Sequence, residues 1–152
     1  MLAYEVDGRG PSLLLIHGFG ISFNIWNELR PLLRDHFTLI MVELPGIGRT
    51  PPPAPGRDYL DEAAEGIEQV RRHLGINFWR ILSFSSGTRL AEHYLRLHGD
   101  RVEFAAFLCP AETHSLSAFM LPTAIFLDRL FPRFGDWALS GRRFMALLNL
   151  LG

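Results

Sequence analysis

The sequence predicts an α/β fold: a doubly wound, mostly parallel sheet with helices on both faces. Three observations predict it. Four short apolar runs lack the polar alternation of half-exposed strands and read as strands covered on both sides. Stretches with apolar residues at helical spacing alternate with those runs. The Gly-, Ser- and Pro-rich segments fall where the runs end, which is where open parallel sheets place their ligands.

The elements follow in order. LAYEV at 2–6 is a possible edge strand, and LLLIH at 13–17 is the first buried one. Ile25, Trp26, Leu29, Leu32 and Leu33 share one face of a predicted helix. FTLIMVE at 37–43 is the next strand. PGIGRTPPPAPG at 45–56 is too rich in Pro and Gly for a helix and is predicted to be a loop. Leu60, Ala63, Ala64, Ile67, Val70 and Leu74 line a second helix. WRILSF at 79–84 is a strand, Leu90, Ala91, Tyr94, Leu95 and His98 line a third helix, and VEFAAFLC at 102–109 is the last strand. From Ala111 to Gly152 only short apolar helical pieces remain, split by prolines and glycines.

Composition narrows the function classes. At 152 residues the chain fits one domain with a real core. A formal charge of −1 argues against an electrostatic claim on nucleic acid. The single cysteine, Cys109, excludes an internal disulfide and suits a reducing compartment; ending an apolar run, it is expected to be a buried, inert thiol. MLAYEVDGRG lacks the order of a secretory signal, so a cytoplasmic setting is expected. Pro122, Asp128, Arg129, Pro132, Arg133 and Asp136 break the most apolar region into pieces shorter than the roughly 18 residues of a membrane span.

The serine pair in SFSSGT carries the chemistry. A nucleophile elbow needs small residues two before and two after its serine. Ser83 and Gly87 meet that condition around Ser85, whereas Phe84 and Thr88 around Ser86 do not. The competing reading is that both serines merely cap the following helix. HGFG, at the end of the first buried strand, supplies what an acyl-transfer serine requires, backbone N–H groups aimed at a developing oxyanion. Phe19 and Ser86 are the expected donors, with Gly18 and Gly20 letting the loop turn inward.

LLLIHGFG, Trp26, ELPGIGRT and SFSSG, in this order and spacing, resemble the N-terminal half of the α/β-hydrolase superfamily. The resemblance divides the chain into half of a hydrolase core at 1–110 and the start of a helical lid at 111–152. It places the 13–17 strand beside the 79–84 strand, so that Phe19 and Ser85 meet. It implies a serine hydrolase of carboxylic esters, with Ser85 as nucleophile, Phe19 and Ser86 in the oxyanion hole, and no cofactor or metal. An apolar acyl or aromatic ester suits the apolar lid. Serine at the elbow speaks against the dehalogenase and epoxide-hydrolase branches, which use aspartate there. Ser83, Glu43 and Thr88 depart from the usual glycine, aspartate and glycine. The family's last strands, bearing its acid and histidine, have no counterpart before Gly152, so the 1–152 chain is expected to be inactive in isolation.

Two other readings remain open. HGFGISF half-matches the dinucleotide fingerprint, with Glu43 as ribose ligand, although Phe23 stands at the third glycine. A hydrolase-like binding or scaffold module without catalysis is the other. Among the histidines, none shows metal-ligand spacing; His17 is expected to be structural, and His114 and Glu112 to belong to a polar lid edge. The last strand, ending a sheet, is expected to pair with a second copy or to be covered by a further C-terminal segment.

Overall fold

The computed structural model describes residues 1–110. The predicted lid at 111–152, with His114 and Glu112, lies outside the described residues. Five strands, β1 (Tyr4–Gly8), β2 (Ser12–Ile16), β3 (Thr38–Val42), β4 (Trp79–Phe84) and β5 (Val102–Leu108), form one sheet in the order β1-β3-β2-β4-β5. β1 runs antiparallel to β3 and the other pairs are parallel. The expected edge strand exists, shifted two residues along the chain from its expected place.

Strand residues alternate between the two faces, and each face has its own core. Leu14, Ile16, Ile40, Val42 and Ile81 pack on one side with the two long helices, α2 (Tyr59–His73) and α3 (Gly87–His98). Leu13, Leu15, Leu39 and Met41 pack on the other around Trp26. α2 has strong local signals. Asp58 caps it by accepting from the N–H groups of Leu60 and Asp61, Asp61 and Glu62 lie in its first turn, and Arg71, Arg72 and His73 lie in its last. Gly75, at φ 66°, lets the chain leave it.

Two expectations need correction. The helix predicted through Ile25 and Leu33 is a 3-10 turn, Phe23–Trp26, followed by the single turn α1 (Arg30–Leu33). Ser22 caps the first piece and Pro31 starts the second, so two local start signals lie within ten residues and no continuous helix forms. Leu32 is consequently exposed. β5, expected to be buried, exposes Phe104, Phe107 and Leu108, because it is the sheet edge among the described residues. Cys109 is exposed as well, not buried, and adopts φ 47°. Among the described residues no helix is long and apolar enough to cross a membrane.

The chain passes from β2 outward to β3, then returns past β2 to β4. The strand order therefore reverses between β2 and β4, and a crevice beyond their carboxyl ends is the place this topology offers a ligand.

Candidate active site

Both chemical loops lie at that switch point. Ile16 of β2 is registered with Ser83 of β4, so the chain after each strand leaves at the same level. Ser85 stands at φ 53°, a left-handed conformation that costs a non-glycine residue of order 1–3 kcal/mol. Its N–H is held by the Leu108 carbonyl at 2.9 Å. Its own carbonyl accepts from the Thr88 hydroxyl at 2.6 Å and the Thr88 N–H at 3.1 Å, which starts α3. The backbone thus makes the turn, and the Ser85 hydroxyl bonds to none of the described residues. Ser85 is not a side-chain cap.

The small residues around the elbow are needed, for reasons partly different from those expected. A Cβ on Gly87 would lie 2.4 Å from the His17 carbonyl oxygen, so it is the end of β2 that excludes a side chain there. A Cβ on Gly18 would lie 3.2 Å from the Ser85 Cβ, so this glycine gives space. Gly20, at φ 70°, gives conformation instead. Ser83 fits in the first elbow position fully buried, its hydroxyl unpaired among the described residues.

Phe19 and Ser86 are brought together with Ser85. The Phe19 N–H donates to the Ser86 Oγ at 2.6 Å, linking the HGFG loop to the elbow. Ser86 occupies the N-cap position of α3 without a side-chain capping bond. Its backbone stands at the positive end of a 12-residue helix.

His17 is the hub that sequence reasoning undervalued. It is fully buried, its Nδ1 lies 2.7 Å from the Gly18 carbonyl, and the Leu44 N–H donates to its Nε2 at 3.1 Å. Nε2 must therefore be the acceptor and Nδ1 the protonated nitrogen, a neutral ring joining the loops after β2 and β3. Burial pulls its pKa down to about 4, outweighing the Gly18 carbonyl and the Glu43 charge. Between pH 6.5 and 4 the unfolded chain takes up a proton that the folded chain refuses. Stability is thus expected to be full above pH 6.5 and to fall by about 3 kcal/mol as pH drops to 4. Imidazole resonances followed by NMR check this; a His17 midpoint near 6.5 would show an unsealed ring.

Glu43, also buried, accepts from the Arg49 N–H at 2.9 Å and from its Nε at 3.1 Å. Gly48 faces that carboxylate so closely that a Cβ would lie 2.3 Å from it. The longer Glu in place of Asp is thus absorbed by the ELPGIGRT loop. This counts against the dinucleotide reading, since the carboxylate it offers to a ribose is already engaged by Arg49. The parallel strands also run β3-β2-β4-β5, whereas a Rossmann unit would keep its first three in succession.

A buried carboxylate on α2 was not foreseen. Glu68 accepts from Arg71 at 2.7 and 2.8 Å, from Arg72 at 2.8 Å and from the Tyr94 hydroxyl at 2.9 Å, tying α2 to α3. These bonds, Arg71 first, hold its pKa down to about 2. Only the Glu–Arg spacings at i+3 and i+4 hinted at it.

Residues 11–141 match the alpha/beta hydrolase fold family. The chain belongs to that family. It is 28% identical over 139 residues to the soluble epoxide hydrolase of Corynebacterium sp. (strain C12), spanning 89% of this chain and 48% of that protein. It is 39% identical over 102 residues to the pimeloyl-[acyl-carrier protein] methyl ester esterase of Vibrio vulnificus (strain YJ016), spanning 66% of this chain and 37% of the esterase. Among solved structures it is similar to a hydrolase from Pseudomonas aeruginosa PA01, with a TM-score of 0.68 and 26% identity. That likeness covers 77% of this chain and 44% of the other. The chain thus spans about half the length of these relatives, or less.

Proposed function

We propose that the chain carries the nucleophile and oxyanion half of a serine hydrolase acting on a small carboxylic ester with an apolar acyl or aromatic group. Ser85 is the nucleophile, and the Phe19 and Ser86 N–H groups receive the oxyanion. The supporting observation is the left-handed Ser85, its hydroxyl unbonded among the described residues, at the switch point beside the Phe19–Ser86 contact. In this reaction the Ser85 oxygen attacks the ester carbonyl and loses its proton to a base. The carbonyl oxygen becomes an anion held by the two N–H groups, and collapse releases the alcohol and leaves an acyl-serine for water to cleave. Serine rather than aspartate at the elbow favours the chemistry of the esterase relative over that of the epoxide hydrolase. The single cysteine suits a reducing compartment, and a cytoplasmic setting forms part of the proposal. Esterolysis that disappears in Ser85→Ala tests the reading; turnover that survives the substitution overturns it.

A non-catalytic binding module is the second reading. It is favoured by the Phe19 N–H being already occupied. Saturable binding of esters without any Ser85-dependent turnover, in every length of the chain, would support it.

Association belongs to the same proposal. β5 has no neighbour on one side among the described residues and presents Phe104 and Phe107, 60% and 40% exposed. Such an edge invites pairing. The chain is expected to be a dimer or larger, unless a further C-terminal segment covers the edge. A stable, folded 17.2 kDa monomer of the 152-residue chain in light scattering would count against it.

A further inference from the structure

We propose that the Ser86 hydroxyl plugs the oxyanion hole and must swing out before an ester can react. The inference rests on the acyl-transfer reading of Ser85 and the two N–H groups. Its observation is the Phe19 N–H bond to Ser86 Oγ at 2.6 Å. An oxyanion held by the Phe19 N–H has to lie about 2.7–3.1 Å from that nitrogen, along the same direction. The Ser86 oxygen already occupies that position, and two oxygens cannot share it.

Among the described residues the hydroxyl makes no other bond that would explain its placement. Ser86 sits at the N-cap of α3, where a serine side chain ordinarily accepts from the first turn, yet it makes no capping bond. It reaches across to the neighbouring loop instead. The bond is removable, because a serine side chain has three staggered positions and Ser86 is only half-buried. A ligand oxygen therefore competes with a hydroxyl built into the chain. Residue 86 thus tunes how readily the hole opens, in addition to donating its N–H.

Phenylboronic acid tests this with the 152-residue chain. Its boron accepts the Ser85 oxygen, the serine proton passes to buffer, and the resulting anionic tetrahedral adduct places one boron hydroxyl in the hole. Ser86→Ala is expected to bind it roughly five- to tenfold more tightly than the unsubstituted chain, the scale of one net hydrogen bond released. The Phe19 amide proton of ligand-free Ser86→Ala should move upfield by NMR, a shift that a purely structural effect on α3 would not produce. Ser86→Thr, which keeps the hydroxyl, should behave as the unsubstituted chain. Equal or weaker binding by Ser86→Ala, with binding still dependent on Ser85, overturns the plug alone. Binding that survives Ser85→Ala, or no binding by any variant, overturns the acyl-transfer reading and the plug with it.

Discussion

On the proposed reading, Ser85→Ala is expected to remove on the order of a millionfold in turnover from a longer form of this chain that also carries the C-terminal strands expected from the family resemblance. The 152-residue chain should hydrolyse p-nitrophenyl acetate at little above the buffer rate. The reason is the base. A serine hydroxyl attacks an ester usefully only when an imidazole takes its proton and an acid orients that imidazole. His17 lies near the elbow, but both of its ring nitrogens are committed, to the Gly18 carbonyl and the Leu44 N–H. His93 pairs with Asp61 at 2.7 Å, joining α3 to α2. In the family the base follows the final strand, and this chain spans 48% of the epoxide hydrolase and 37% of the esterase. Where no imidazole reaches Ser85, only oxyanion-hole and binding effects are expected to remain. The assay compares both chain lengths with and without Ser85→Ala. Robust turnover by the 152-residue chain that vanishes in His114→Ala would overturn this, making His114 the base and Glu112 the nearest orienting acid.

The largest loss of stability is expected at Glu68. Its side chain is 8% exposed and that of Arg71 10%, so the pair lies largely out of water. Removing one partner of such a pair leaves a nearly buried charge uncompensated, which costs about 3–5 kcal/mol. Glu68→Ala strands the Arg71 guanidinium, unpairs the Tyr94 hydroxyl and severs the tie between α2 and α3. Since α3 begins at the elbow, its loosening should also broaden the Ser85 and Ser86 amide signals. Arg72 makes the comparison. Its side chain is 72% exposed, so Arg72→Ala should cost less than about 1 kcal/mol although it bonds the same carboxylate. Urea titrations of the two variants check the ranking, and equal losses would show that burial does not set the energy. The acid limb separates as well: the Glu68 carboxylate contributes stability that is present above pH 4.5 and lost as pH falls through about 2, below the window of His17.

Local pattern carried most of the framework because the core is made of local repeats. Buried strands covered on both faces show as unbroken apolar runs, and Leu13 to Ile16 and Leu39 to Val42 do so plainly. The 15-residue α2 announces itself with a cap, graded charge and an exit glycine. The left-handed turn at Ser85 was foreseeable too, since a strand meeting a helix through S-F-S-S-G leaves few ways to turn. Failures came where two weak local signals competed. Ser22 and Pro31 each start a helical turn, and periodicity alone merged them into one helix.

The chain alone therefore carried the α/β class, most of its strands and long helices and the family resemblance, and it pointed to Ser85 as the candidate, since each rests on residues close together in sequence. Tertiary structure decided what depends on which distant residues meet. Gly87 must be small because the end of β2 presses on it, and Glu43 is spent on Arg49 rather than on a ligand. His17 is a neutral strut because Leu44, 27 residues away, donates to it and because the folded chain buries its ring completely. The Ser86 hydroxyl lies on the Phe19 N–H, 67 residues apart, only because the sheet sets β2 beside β4. Hydrogen bonds and burial at such separations leave no periodic trace in a sequence, because their energy arises only after the strands have been brought together.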